Sequence, residues 1–309
     1  MAAASGTRSH KTREVHTMKP TVVLQTDFGN GGGGVMAGVI KSVDPEVPVY
    51  DFDHFIEAFN TVAASASLSG AVPYWPSGTV FVSVVDPGVG TERRSCVAKL
   101  DNGSYIVTPD NGTLTMLKEM VTEVRRIDEC INRLPGSENC YIYHGRDVYS
   151  YTAARLASGV ISYEEVGPEY PVSEIVVHTL TNVETVVRRG YAHAGFYDME
   201  KAFGCLRVNI TTKEFQEIGG FCYGDRFHLV ISDGHKPIYD GICYYDKTFG
   251  LAPKGEAFVC GDIQAGEGQT LRFNLNHDNF FDKYAPELND GLGMAKDYSF
   301  TATPWEGDL

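Results

Sequence analysis

The chain reads as an α/β protein in two parts: an N-terminal part built on a largely parallel sheet covered on both faces, and a C-terminal part that is a small antiparallel barrel or sandwich. Three observations predict this. From residue 21 to about 156, apolar β-branched runs alternate with stretches of helical period, the pattern of a parallel sheet flanked by helices. Beyond Gly190, short β-rich runs are separated by Asp-Gly and Lys-Gly turns with no long helical period between them. At 309 residues the chain also exceeds the usual ceiling for one hydrophobic core.

Taken in order, Thr21 to Thr26 is a strand that ends at Asp27-Phe28-Gly29 and runs into four more glycines, Gly31 to Gly34. Val35, Met36, Val39, Ile40 and Val43 then recur at helical spacing until Asp44-Pro45 stops them. Val47 to Phe52 predicts a second strand, and the small apolar residues between Asn60 and Tyr74 a closely packed helix. The run Thr79 to Val85 predicts a third strand. It must break at Pro87-Gly88, because proline removes a ladder donor and glycine permits positive φ. Ser95–Leu100 and Tyr105–Val107 flank Asp101-Asn102-Gly103, a hairpin signal. Thr113 to Met120 reads as a short helix, 125–139 as loop, and Val148 to Leu156 as a helix ended by Gly159. In the second part, strands are expected at 205–210, 226–231, 237–245, 257–260 and 270–275, with 276–309 irregular. The boundaries drawn from this are a disordered leader at 1–18, an N-terminal domain at 19–180, a linker at 181–192 and a C-terminal domain at 193–309.

The formal charge of −14 argues against nucleic acid and anionic membranes as partners, since both need basic patches. No apolar run approaches the roughly 18 to 20 residues that span a bilayer. Seven scattered cysteines with no C-x-x-C pair suggest reduced core thiols of a cytoplasmic protein. The first 18 residues lack an apolar segment and are no secretory signal.

The chemistry is expected at strand ends, where open α/β sheets bind ligands. Asp86 leaves the third strand at its C-terminal end, Arg93 returns seven residues later, and His144 in Tyr143-His144-Gly145-Arg146-Asp147 supplies an imidazole. Converging, these three would hold and activate a water molecule. Each alone has a plainer reading: a turn cap, a surface arginine, a structural histidine. Gly29-x-Gly31-x-x-Gly34 satisfies a dinucleotide fingerprint, but Asp27 just ahead of it would repel a pyrophosphate and suits a ribose diol better. Asp51-x-Asp53-His54 has the residue types of metal ligands, yet such groups at a strand end are commonly caps, and no metal is expected. Neither a G-x-S-x-G elbow nor a Walker lysine is present.

Thr26-Asp27-Phe28-Gly29, Val85-Asp86-Pro87-Gly88-Val89-Gly90, Pro109-Asp110-Asn111-Gly112 and His144-Gly145-Arg146-Asp147, in that order over residues 20–170, resemble the S-adenosyl-L-methionine (SAM) hydroxide adenosyltransferases, or SAM hydrolases, relatives of the fluorinase and chlorinase. The resemblance implies an N-terminal α/β sandwich, a small C-terminal β-barrel and a homotrimer with each site between one subunit's N-terminal domain and its neighbour's barrel. It implies Asp86, Arg93 and His144 as the water-binding catalytic triad. Asp27, Phe28, Phe59, Gly145, Glu200, Phe203 and Asn209 are then the substrate-binding positions, with SAM as substrate and no cofactor. In the fluorinase a tyrosine stands at the position of Asp86 and a halide-binding serine at that of Gly145, so Asp86 favours water. This chain departs from the pattern where glycines replace the acidic stretch after T-D-F-G and where Cys205 replaces an adenine-contacting asparagine. No Ser-Arg-Gly methionine clamp is recognisable around Phe258–Asp262. The alternatives are halide transfer, a non-catalytic nucleoside-binding protein and an NAD-dependent oxidoreductase.

The implied reaction is attack of water on the ribose 5′ carbon, giving adenosine and methionine. The sulfonium leaves as a neutral thioether and needs no acid, so activation of the nucleophile is the difficulty. A guanidinium about 4 Å from hydroxide contributes roughly 4 kcal/mol at an effective dielectric of about 20, or about a thousandfold in acidity. That is too little for free hydroxide at neutral pH. Proton acceptance by His144 (oriented by Asp86), or by Asp86 itself, must accompany attack.

Overall fold

The computed structural model of the chain describes residues 19–264, 268–288 and 295–307. The expected disordered leader at 1–18 lies outside the described residues. The N-terminal part is a seven-stranded sheet in the order β2-β1-β3-β5-β4-β6-β7. Its strands are β1 (Val22–Thr26), β2 (Val49–Asp53), β3 (Val80–Val84), β4 (Ser95–Leu100), β5 (Tyr105–Pro109), β6 (Val121–Arg126) and β7 (Glu169–Tyr170). β2, β1, β3 and β5 are parallel, and β6 runs the same way because β4 is antiparallel to both β5 and β6. Helices α1 (Gly32–Val43) and α3 (Ser150–Ala157) cover one face, and α2 (Thr61–Ala71) the other.

Alternation explains this layering. In β1, Val22 and Leu24 pack with Met36 and Ile40 of α1, while Val23 points to the opposite face beside Leu68 of α2. Each such buried side chain contributes roughly 1.5–3 kcal/mol. α1 ends where Asp44-Pro45 cannot continue it, and Lys41 Nζ donates to the carbonyls of Pro45 and Val47. α2 starts at Asn60, whose side chain accepts from the Ala63 amide at 2.9 Å.

The C-terminal part is a barrel. Its strands are β8 (Val186–Arg188), β9 (Tyr191–Glu200), β10 (Cys205–Thr211), β11 (Arg226–Ser232), β12 (Pro237–Tyr245), β13 (Ala257–Gln264), β14 (Gly268–Leu275) and β15 (Ser299–Pro304). The ring β10-β14-β13-β12-β11-β15-β9 closes through the β9–β10 pairing, with β8 appended to β9. All its pairings are antiparallel except β12–β13, whose connection at 246–256 is long enough to cross over. Phe215, Phe227, Tyr245, Phe273 and Phe300 fill the interior.

Several strands differ from the sequence expectations, among them the short β7 and β8, the latter wholly within the stretch read as linker. β6 lies partly in the stretch read as loop, β9 begins in the stretch read as linker, and β15 lies within 276–309, read as irregular. β15 keeps a period of two, with Phe300 and Ala302 buried, but its partners β11 and β9 are remote in sequence. Short helix α4 (Phe280–Tyr284) precedes it. Lys201 in the barrel meets Glu57 of the N-terminal part at 3.1 Å. Among the described residues no helix is long and apolar enough to cross a membrane.

Candidate active site

β3 is buried along its whole length and delivers Asp86 at its C-terminal end. Turn bonds from the Val89 amide to the Asp86 carbonyl and from the Thr91 amide to the Gly88 carbonyl fold the chain back. Arg93 thereby faces Asp86. Its Nε donates to Asp86 Oδ1 at 2.9 Å and its Nη2 to Oδ2 at 2.5 Å, the two-pronged geometry that suits arginine and carboxylate. The side chains are only 5% (Asp86) and 10% (Arg93) exposed, so the pair is largely desolvated.

His144 caps a π-helical turn, Gly145–Tyr149, that leads into α3. Arg93 Nη2 lies 2.8 Å from His144 Nδ1. Guanidiniums only donate, and Arg133 Nη2 also lies 3.1 Å from Nε2; the shorter Arg93 contact makes Nδ1 the acceptor, so a neutral ring carries its proton on Nε2 and the Arg133 approach is not a hydrogen bond. Burial depresses the imidazole pKa; Glu129 pulls it up, Arg93 and Arg133 push it down, and the net displacement is downward. The ring is therefore a neutral base near pH 7. Asp86 does not orient it through a hydrogen bond, contrary to the sequence expectation. Both Asp86 oxygens are engaged by Arg93, and Oδ2 also accepts from the Tyr149 hydroxyl at 3.3 Å.

Asp86 and His144 line a cavity of about 660 Å³ together with Asp27, Phe28, Phe59 and Gly145. Asp27 Oδ2 accepts from the Phe59 amide at 3.0 Å, which holds Phe59 in a left-handed conformation, φ 67°. A Cβ on Gly145 would stand 3.0 Å from the Phe28 ring, so glycine there lets that ring form the cavity wall. The glycine run has a packing reason as well. A Cβ on Gly33 would stand 2.6 Å from an Asp51 oxygen and 2.2 Å from His54 Nε2. A carboxylate thus already lies against the first turn of α1, where a dinucleotide pyrophosphate would have to sit. His54 is held by Asp51 at 3.0 Å and Thr26 at 2.9 Å. Among the described residues no group of three or more His, Cys, Asp or Glu has the geometry to hold a metal ion.

The barrel positions are not brought into this cavity within one chain. Phe203 lines a separate cavity of about 640 Å³ with Cys205, Asp262 and Arg272, and Glu200 accepts from Arg272 Nη2 at 2.7 Å. Asn209 lines neither; its side chain donates to Thr185 at 3.2 Å.

Sequence reasoning missed the groups behind the triad. Glu129 and Arg133 follow β6 in the stretch read as loop, and Arg133 Nη2 lies 3.1 Å from His144 Nε2 and 2.7 Å from Glu129 Oε2. Ser95 Oγ donates to Glu129 Oε1 at 2.8 Å and accepts from Arg93 Nη1 at 2.9 Å. Burial would raise the Glu129 pKa, but Ser95, His144 and Arg133 more than offset it and the carboxyl stays ionised. The four-residue Glu-Arg spacing is a signal only if that stretch is known to be helical or turned.

The profile of the SAM hydroxide adenosyltransferase N-terminal domain matches residues 22–167. The chain is 32% identical over 191 residues to the (R)-S-adenosyl-L-methionine hydrolase of Methanocaldococcus jannaschii, covering 57% of this chain and 70% of that one. It is 36% identical over 160 residues to the Salinispora tropica protein of the same name, covering 51% of this chain and 60% of the relative. A fluorinase of Actinopolyspora mzabensis is more distant, 23% identical over 239 residues, covering 70% of this chain and 79% of that one. Among solved structures, an uncharacterized conserved protein from Thermotoga maritima superposes with a TM-score of 0.74 at 27% identity, covering 92% of this chain and all of the other.

Proposed function

The chain belongs to the SAM hydroxide adenosyltransferase family, and from that premise we propose that it hydrolyses SAM to adenosine and L-methionine, with water as the nucleophile and no resident cofactor. The relatives' names specify the R configuration at sulfur, which makes (R)-SAM the first substrate to test. The observation that carries the reading is the contact of Arg93 with both Asp86 and His144, which themselves line a cavity that also holds Asp27 and two phenylalanines.

In this reading Asp27 accepts the ribose hydroxyls and Phe28 and Phe59 flank the sugar. The nucleophilic water sits among Asp86, Arg93 and His144. The water enters between Arg93 Nη2 and His144 Nδ1, accepting from the guanidinium and donating to the lone pair that otherwise takes the Arg93 hydrogen bond, so its proton passes to Nδ1. The field of Arg93 and of the substrate's own sulfonium stabilises the developing hydroxide. A carboxylate at Asp86 repels a halide at the same place, which disfavours halide transfer.

The finer reading is a cytoplasmic homotrimer whose sites lie between subunits, so that a neighbour's barrel brings Glu200, Phe203 and Asn209 to the substrate. It is supported by the exposed aromatic rims of both cavities, Phe28 and Phe59 on one and Phe203 and Phe249 on the other. The test of function is incubation with (R)-SAM and chromatography of the products. Adenosine is expected; 5′-halogenated adenosine or unchanged SAM would contradict the reading. Sedimentation velocity tests the trimer, and a monomer at micromolar concentration would overturn it.

A further inference from the structure

His144 lies between two cavities. On its far side, a second one of about 830 Å³ is lined by Arg93, Glu129, Arg133, Glu138, Tyr141 and His144 itself. We propose that Glu129 is a positioning residue for the hydrolysis: from this second cavity its charge compensates the imidazolium that forms when Nδ1 takes the proton of the attacking water. This rests on the hydrolysis proposed above.

The argument starts from the guanidiniums. Arg93 faces Nδ1 at 2.8 Å and Arg133 faces Nε2 at 3.1 Å, and neither can accept a hydrogen bond. An imidazole between two cations is a poor proton acceptor unless an anion offsets them. Of the groups packed on His144, Tyr149 and Tyr141 present ring faces or edges, and Asp86 is committed to Arg93. Glu129 Oε2 remains, 3.8 Å from Nε2, beyond hydrogen-bond range but close enough for its charge to act on the ring. Its orientation is set twice, by Ser95 on Oε1 and Arg133 on Oε2.

The balance is simple. The water oxygen bonds the 5′ carbon as the carbon–sulfur bond breaks, and sulfur keeps the electron pair as a neutral thioether. One water proton moves to Nδ1. The imidazolium is held beside Glu129, and once the products leave, the Nδ1 proton passes to solvent, which restores the starting ring with its proton on Nε2.

The test is Glu129→Gln in the full-length protein, which keeps the shape and removes the charge. With (R)-SAM, kcat is expected to fall about tenfold or more, as when the carboxylate behind a catalytic histidine is neutralised, while KM changes less than about twofold. The acid limb of the kcat–pH profile should move to lower pH, because an imidazole without its anion protonates less readily. An unchanged kcat, or an unmoved acid limb, would overturn the proposal. Nitrogen NMR of labelled His144 reads the same dyad without turnover: a Nε2–H ring in both proteins, with a lower pKa in Glu129→Gln. A lower His144 pKa in Glu129→Gln, with a wild-type protein that releases no adenosine, would sink the hydrolysis and leave the dyad standing. An equal pKa in an active enzyme would do the reverse.

Discussion

Arg93 in the N-terminal part and Arg207 in the barrel are both buried guanidiniums gripped by carboxylates. Arg207 bonds Asp198 and, through Nε at 2.9 Å, Asp262, tying β9, β10 and β13 together. Burial raises the Asp198 pKa even against Arg207, and the two carboxylates hold Arg207 firmly charged. Among the described residues no imidazole is hydrogen-bonded to that cluster. Arg93, by contrast, shares its charge between Asp86 and the neutral ring of His144, beside a cavity large enough for a nucleoside. A buried ion pair is thus no sign of chemistry by itself. Asp262 of the barrel cluster also lines a cavity, so a neutral acceptor beside the guanidinium is what separates the two clusters.

The comparison is broken most severely by removing its reactive members. Arg93→Ala and His144→Ala are each expected to lower adenosine formation by about 10²–10⁴-fold, the range for acid–base catalysis, measured as kcat at saturating SAM. Full activity in either variant would place the two arginine clusters in the same structural class. Arg207→Ala should instead act on folding: it leaves the buried Asp198 carboxylate without its cation, while Asp262 keeps Arg272 at 3.6 Å, and should cost about 3–5 kcal/mol in denaturant unfolding. A well-folded Arg207→Ala protein would show that the barrel cluster is not structural.

Smaller effects sharpen the picture of the cavity. Asp27→Ala removes charge-assisted acceptors worth about 1.5–3 kcal/mol, so calorimetry should show adenosine binding roughly 10- to 100-fold weaker. Gly145→Ala pushes a methyl against the Phe28 ring, and a few-fold rise in the adenosine Kd is expected. The pH dependence follows from His144. Its pKa lies below the ordinary 6.5, so the neutral base persists at pH 6.5 and activity falls only as pH drops through the lower folded value. The unfolded chain binds the proton more readily, so this group also removes stability as pH falls below about 6.5. An acid limb at or above pH 6.5 would contradict the assigned environment.

The sequence is legible where neighbours in the chain make the structure. β1, β2 and β3 end where Asp27-Phe28-Gly29, Asp53-His54 and Pro87-Gly88 say they must, and Asp86 and Arg93 share one loop. It is less legible where partners are remote. β15 is inserted between β11 and β9, and no local pattern ranks those pairings above others. Glu129 and Arg133 look like surface charges in a patternless stretch until β6 and the turn before α3 bring them to His144. Asp86 shows the opposite error: its residue type fits a histidine-orienting carboxylate, but Arg93 reaches it first.

The central claim is that a water molecule gripped beside an adenosyl carbon becomes the new hydroxyl. The most direct measurement is turnover of (R)-SAM in water enriched in the heavy oxygen isotope, with mass spectrometry of the products. Heavy oxygen in the 5′-hydroxyl of adenosine and none in methionine is the predicted result. Adenosine without the label, or no adenosine at all, would contradict it.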